Sequence, residues 1–442
     1  MRRLLTLMMW VLSFSVMALD VEQTILKNGL KVLVKEDHRA PVAVVMVWYN
    51  IGSADEPGGL TGLSHALEHL MFKATTTHPQ GMFAKTIAAA GGQINAFTNY
   101  DYTAYFEKIA ASQLAVALEL EADRMHNLIF DPHEFNRELN VVREERRLRT
   151  DDNPQALALE RFLATAHLSE PYHHPVVGWM SDLNHLSLTD AKIWYQNFYA
   201  PNNATLVIAG DVHAAKVFKL AHLYFDNIKA HPKFIRKTQL EPPALGPKMV
   251  RIQAPAKVPY LLFGYTVPSI LTSQKPWEPF ALELIAGLLD IGDNARFASH
   301  LIRGGSIAGQ ADVYYNPYAR FQTQFIFLGT PNSGHSLKQL KSVMLREIAT
   351  LQNQPVANAE LDRIKTQIIA QKTFEKDSLF GQAMELGLLE TVGIGWHAKD
   401  EYQKNIQAIT PEQIQEVAKR YFIPANETEA QLHPINQSEN SR

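Results

Sequence analysis

Val42 to Tyr49 is an unbroken apolar run of eight residues, the pattern of a strand buried on both faces. Before it, Asn28-Gly29 separates Val21–Leu26 from Leu30–Lys35, which reads as a hairpin. Apolar positions then recur at helical spacing over Thr61–Phe72 and Pro79–Ala90. Strand patterns at Gln93–Thr98 and Thr103–Ile109 precede amphipathic helices at Gln113–Asn127 and Pro132–Thr150. A helix at Thr189–Tyr199, a strand at Thr205–Ala209 and a helix at Ala214–Phe225 complete the first half.

The second half repeats this order with a strand at Tyr260–Val267, a helix at Pro279–Leu289, strands at Ala308–Tyr314 and Gln322–Leu328, and helices at Leu337–Thr350 and Ala359–Phe374. Leu188-Thr189-Asp190-Ala191-Lys192-Ile193 resembles Ile409-Thr410-Pro411-Glu412-Gln413-Ile414, and Phe198–Asn203 resembles Tyr421–Asn426. The expectation is an α+β protein of two homologous sheet-plus-helices domains produced by internal duplication. Pro232, Pro242, Pro243 and Pro247 mark a linker between them. The expected organisation is a signal peptide at 1–18, an N-terminal domain at 19–230, a linker at 231–248, a C-terminal domain at 249–428 and a polar tail at 429–442.

Composition narrows the function classes. A net charge of −3 implies no basic face for nucleic acid, and the absence of cysteine excludes disulfides and lipid attachment at a cysteine. Arg2 and Arg3 precede an apolar stretch, Leu4–Met17, too short to span a bilayer comfortably, so cleavage after Ala18 and export to a periplasm are expected.

His65-Ala66-Leu67-Glu68-His69 carries the chemistry. On a helix His65 and His69 share a face and can point ring nitrogens at one metal ion, while Glu68 stands beside it, able to take a proton from a water on the metal. This HxxEH order is the inverzincin pattern. A third ligand is expected from a second helix, where Glu138, Glu144 and Glu145 lie among apolar residues. Glu138 and Glu145 share a face, and Glu144 points about 100° away from Glu145. Spacing leaves open whether these carboxylates bind a metal or are ordinary surface charges.

HALEH, then 75 residues, then Glu145 at the end of Asn140-Val141-Val142-Arg143-Glu144-Glu145, resembles the pitrilysin/insulinase family of zinc metallopeptidases. Gly91–Thr98, Pro171-Tyr172-His173-His174-Pro175, Gly178 and Tyr199–Asn203 resemble it as well. The resemblance implies one zinc ion per chain, held by His65, His69 and Glu145, with Glu138 supporting a histidine and Glu68 as general base. It implies a clam-shell half facing a second half across a chamber, in the branch that works as homodimers or heterodimers. Peptide would add as a strand along Gln93–Thr98, with Asn95, Ala96 and Phe97 against it. Arg303 fits the family's chamber-crossing arginine, but the tyrosine expected seven residues later is Gln310. That departure motivates a second expectation, a zinc-bearing subunit completed by a sibling that supplies an arginine–tyrosine pair. Mn²⁺ or Co²⁺ would suit the same ligands.

Overall fold

The computed structural model describes residues 21–237 and 239–435. The expected signal peptide lies outside the described residues. Among those residues no helix is long and apolar enough to cross a membrane.

In the first half the order is β1 (Glu22–Ile25), β2 (Lys31–Glu36), β3 (Val42–Tyr49), α1 (Leu63–Leu70), α2 (Met82–Ala89), β4 (Gln93–Thr98) and β5 (Thr103–Ala110). Then come α3 (Leu114–His126), α4 (Pro132–Arg146), α5 (Pro154–Ala166), α6 (Met180–Leu183), α7 (Leu188–Phe198), β6 (Ala204–Gly210) and α8 (Ala214–Phe225). The second half contains β7 (Lys248–Ala254), β8 (Tyr260–Val267), α9 (Glu278–Asp290), β9 (Ala308–Tyr314), β10 (Thr323–Pro331), α10 (Leu337–Asn353) and α11 (Asn358–Glu375). It ends with α12 (Leu379–Val392), α13 (Ala398–Ala408), α14 (Pro411–Tyr421) and β11 (Glu427–Pro434).

The two sheets have one topology. Their orders are β1-β2-β6-β3-β5-β4 and β7-β11-β8-β10-β9, so the second matches the first strand for strand once the added edge strand β1 is set aside. The parallel pair falls at the same place in each, β2 with β6 and β7 with β11. Duplication therefore extends to register and strand direction. The expected tail from residue 429 is corrected: β11 runs through it to Pro434, between β7 and β8. Its sequence reads as polar because Glu427 and Glu429 are both met by the Lys341 ammonium of α10, while Ala430 and Leu432 are buried.

One face of each sheet is covered by its own half's helices, and the other by a helix from the opposite half. Leu386 and Ala383 of α12 pack with Val44, Met46 and Trp48 of the first sheet. Phe162 and Ala158 of α5 pack with Tyr260, Leu262, Ala430 and Leu432 of the second. The halves are thus tied by reciprocal exchange of one helix. Arg320, from the β9–β10 connection, adds a polar tie: its guanidinium reaches Asp55 at 3.3 Å, and its backbone N–H donates to Asp101 at 3.1 Å. Arg236 of the linker donates to the same Asp55 at 2.6 Å.

Candidate metal centre

Helix α1 is built to present polar groups from an apolar anchor. Leu63, Ala66, Leu67 and Leu70 are buried beneath it, which turns His65, Glu68 and His69 toward the opposite side. Its entry is held by Glu56, whose two carboxylate oxygens accept the backbone N–H groups of Gly62 at 2.7 Å and Ser64 at 2.6 Å. Burial pushes the Glu56 carboxyl up to about 8, against the pull of these two donors. Gly62 has φ +88°, and a Cβ there would lie 2.5 Å from the Val177 carbonyl oxygen. Gly178 has φ +86° and its Cβ would fall 2.3 Å from the Thr61 carbonyl oxygen, so the two glycines let these backbones touch.

Helix α4 crosses α1 and supplies the carboxylates. The Asp131 side chain caps it, accepting from the N–H groups of His133 and Glu134, and Pro132 occupies its first position. Glu145 Oε2 lies 3.7 Å from His65 Nε2 and 3.5 Å from His69 Nε2. A tetrahedral ion with ligands at about 2.0–2.1 Å holds them about 3.3 Å apart, so these donors have the spacing and chemistry for zinc. One ligand atom from each residue lies within 4.8 Å of the others.

The surroundings order the three ligands. Glu138 Oε2 accepts from His69 Nδ1 at 3.4 Å, which leaves Nε2 directed at Glu145, and Lys73 Nζ holds Glu138 at 2.7 Å. Arg149 pairs with Glu145. Without an ion the two imidazoles respond oppositely. Burial and the neighbouring His69 pull His65 down to about 4. Burial also pulls on His69, but its bond to Glu145 and the charge of Glu68 outweigh it and raise the ring's pKa. The bond to His69 lowers Glu145. Glu68 is raised by burial, with the hydroxyl of Thr98 donating to its Oε2.

His65, Glu68, His69 and Glu145 line a groove of about 1110 Å³ whose wall includes Asn95, Ala96, Phe97, Thr98, Val176 and Val177. Strand β4 is the outer edge of the first sheet, so one side of its backbone is open to an added strand. There the Asn95 side chain accepts its neighbour Ala96's N–H at 2.9 Å. Val176 and Val177 also line a neighbouring cavity with Tyr100 and Leu159, and Tyr100 and Leu159 in turn border a cavity that includes Tyr314 of the second half.

The structure therefore brings His65, Glu68, His69, Glu138, Glu145, Asn95, Ala96 and Phe97 together. Glu144 borders the groove but does not join the ligands; exposed, it pairs with Arg147. Arg303 and Gln310 do not join the site. Arg303 donates to the Asp293 carbonyl, Gln310 donates to Asp312 at 2.6 Å, and neither lines the groove. Both project from the surface of the second domain. Sequence reasoning passed over Thr98 and Lys73. Lys73 follows His69 by four residues, a spacing that places it on the same side of the chain's helical path; Thr98 carries no such mark.

The chain is similar to known peptidases over nearly its whole length. The pattern described as Insulinase (Peptidase family M16) matches residues 31–178, and that described as Peptidase M16 inactive domain matches residues 185–368. The zinc protease PqqE of Helicobacter pylori is 31% identical over 93% of this chain and 93% of its own length. The chain belongs to the M16 peptidase family. An uncharacterized zinc protease of Bacillus subtilis, YmxG, is 23% identical over 90% of this chain and 94% of its own. The crystal structure of a protease from Helicobacter pylori superposes with a TM-score of 0.88 at 30% identity, covering 94% of this chain and 99% of that one. The first half of the periplasmic protease PqqL from Escherichia coli shares the fold, with a TM-score of 0.77 at 18% identity over 93% of this chain and 92% of that one. The two patterns divide the chain as its two halves do, with the one described as inactive on the second.

Proposed function

We propose that this chain is a zinc-dependent endopeptidase acting on extended peptides, with His65, His69 and Glu145 as ligands and Glu68 as general base. The observation that carries this reading is the convergence of two ring nitrogens and one carboxylate oxygen beside Glu68, at the foot of an open edge strand. When bound, zinc acts as a Lewis acid that acidifies water and polarises the scissile carbonyl.

The chain's own residues supply the rest. An extended peptide pairs with β4, displacing the Asn95 side chain from the Ala96 N–H, and Phe97 borders the same groove. Glu68 takes a proton from the attacking water and returns it to the leaving amine. Burial makes it a stronger base than an exposed carboxylate, and Thr98 fixes its orientation. Glu138 and Lys73 hold the His69 ring in the tautomer that offers Nε2. Export to the periplasm fits the N-terminal sequence and the location of PqqL.

A second reading is a subunit that needs a partner for turnover. Every residue lining the groove beside His65, Glu68 and His69 comes from the first half, up to Val177, which supports an opposite wall supplied by a sibling chain. Cleavage of a quenched fluorescent peptide library by the mature chain with zinc, beside Glu68→Gln, separates the two readings. Activity lost in the variant supports a self-sufficient peptidase; inactivity with zinc held at His65, His69 and Glu145 supports the partner-dependent subunit. Activity retained in Glu68→Gln contradicts the assignment of the base.

A further inference from the structure

We propose that Glu36, His38 and His213 form a second, peripheral site for a divalent metal, Zn²⁺, on the first half and separate from the groove. Glu36 ends β2, His38 lies in the turn after it, and His213 immediately precedes α8. Strands β2 and β6 pair in parallel, so their C-terminal ends, which feed these two segments, lie side by side.

The Glu36 carboxylate is fixed by the Ala214 N–H, which donates to Oε1 at 2.7 Å. Its other oxygen, Oε2, lies 3.2 Å from His38 Nε2 and 3.6 Å from His213 Nδ1. The far nitrogen of the His38 ring, Nδ1, lies 2.7 Å from Asp211 Oδ1. With the Nδ1 proton donated to Asp211, a neutral His38 turns its lone pair toward Glu36. Lone pair would then face lone pair, unless a proton or a cation lies between them. A proton on His38 would satisfy only that ring's contact with Glu36, whereas a divalent ion accepts both ring lone pairs and the carboxylate at once.

The pattern is that of the metal centre. There too one carboxylate oxygen lies 3.5 and 3.7 Å from two ring nitrogens, and a second carboxylate holds the far side of one ring. One ligand atom from each of Glu36, His38 and His213 lies within 4.8 Å of the others, as at His65, His69 and Glu145. The difference is exposure. The His213 side chain is 77% exposed and that of His38 47%, so water completes the coordination and the ion exchanges more readily. Asp37, between two of these residues in the chain, is bonded by Gln382 of the exchanged helix α12 at 3.0 Å, so the ion would brace the corner where the halves are tied.

Equilibrium dialysis of the mature chain against Zn²⁺, with the metal counted by mass spectrometry, tests the proposal. The expected count is two ions per chain, falling to one in the double variant His38→Ala/His213→Ala and to one in His65→Ala/His69→Ala. Asp211→Asn should weaken the peripheral ion ~10–100-fold without changing the other. A count unchanged by His38→Ala/His213→Ala overturns the proposal. This first double variant alters only exposed side chains, so it decides the matter even if the groove variant misfolds. A parent that binds one ion, lost in the first double variant, would sustain the peripheral site while counting against the groove ligands.

Discussion

The two halves share a strand order and a helix order, yet among the described residues only the first gathers side chains that could hold a metal. The decisive elements occupy the same place in each topology. Helix α1 follows β3 and α9 follows β8; α4 and α11 are the fourth and third helices that complete each cover. Helix α1 buries an apolar face and turns two histidines and a glutamate to a groove. Helix α9 is buried over most of its length, and its Glu283 accepts a hydrogen bond from Tyr402 of α13 at 2.6 Å. Burial pushes that carboxyl up to about 7, a group stabilised as the neutral acid by its surroundings. A duplicated scaffold thus carries chemistry in one copy and packing in the other, and the difference lies in a few side chains on one helix pair.

The exchanged helices extend the comparison. In the first sheet the bulky group is on the strand: a Cβ on Gly387 of α12 would lie 2.1 Å from Trp48. In the second it is on the helix, where a Cβ on Gly264 of β8 would lie 3.1 Å from Phe162 of α5. The contacts mirror each other with the roles of glycine and aromatic reversed.

Several substitutions would break or sharpen this comparison. The largest expected effect is at the polar tie between the halves. Arg320→Ala leaves buried Asp101 without its guanidinium and Asp55 with that of Arg236 alone, and should cost about 3–5 kcal/mol in urea unfolding. Two separated transitions would show that the halves come apart.

His174 is next. Burial holds it down to about 4, so the folded state stays neutral where the unfolded chain takes a proton near 6.5. Its stabilising contribution is complete above pH 6.5 and is lost as pH falls toward 4, by about 3 kcal/mol. Glu283 has the opposite sign: its contribution is present below pH 4.5 and is lost as pH rises to about 7. Between about pH 4.5 and 6.5 the two oppose, so relative to the parent stability should fall more steeply with rising pH in His174→Phe and rise more steeply in Glu283→Gln. An unchanged profile in both would refute these assignments.

Gly387→Ala should destabilise by about 1–3 kcal/mol through overpacking on Trp48, with zinc content unaffected. A neutral result would mean that α12 shifts freely. Glu138→Gln is the smallest of these, expected to lower zinc affinity ~10–100-fold while Tm without metal barely moves.

The sequence made α1, α4 and strands β3 to β5 legible because each carries a single clear period. It did not disclose α5 and α12, which have apolar residues on several faces. Each lies between a sheet of one half and the body of the other, so neither shows a clean polar stripe. Strand β11 was hidden by glutamates that Lys341 neutralises from a distant helix. At the site, helical spacing placed His65, Glu68 and His69, while Glu145 and Glu138 rested on resemblance. Thr98 and Lys73 act through contacts between elements, which residue order alone does not report.

The claim that the metal and its chemistry belong to the first half alone is tested most directly by diffraction. Crystals of the mature chain grown with zinc would be measured on both sides of the zinc absorption edge. The account predicts an anomalous peak enclosed by His65, His69 and Glu145, and none against α9 and α11. No peak at those three residues, or one in the second half, would contradict it.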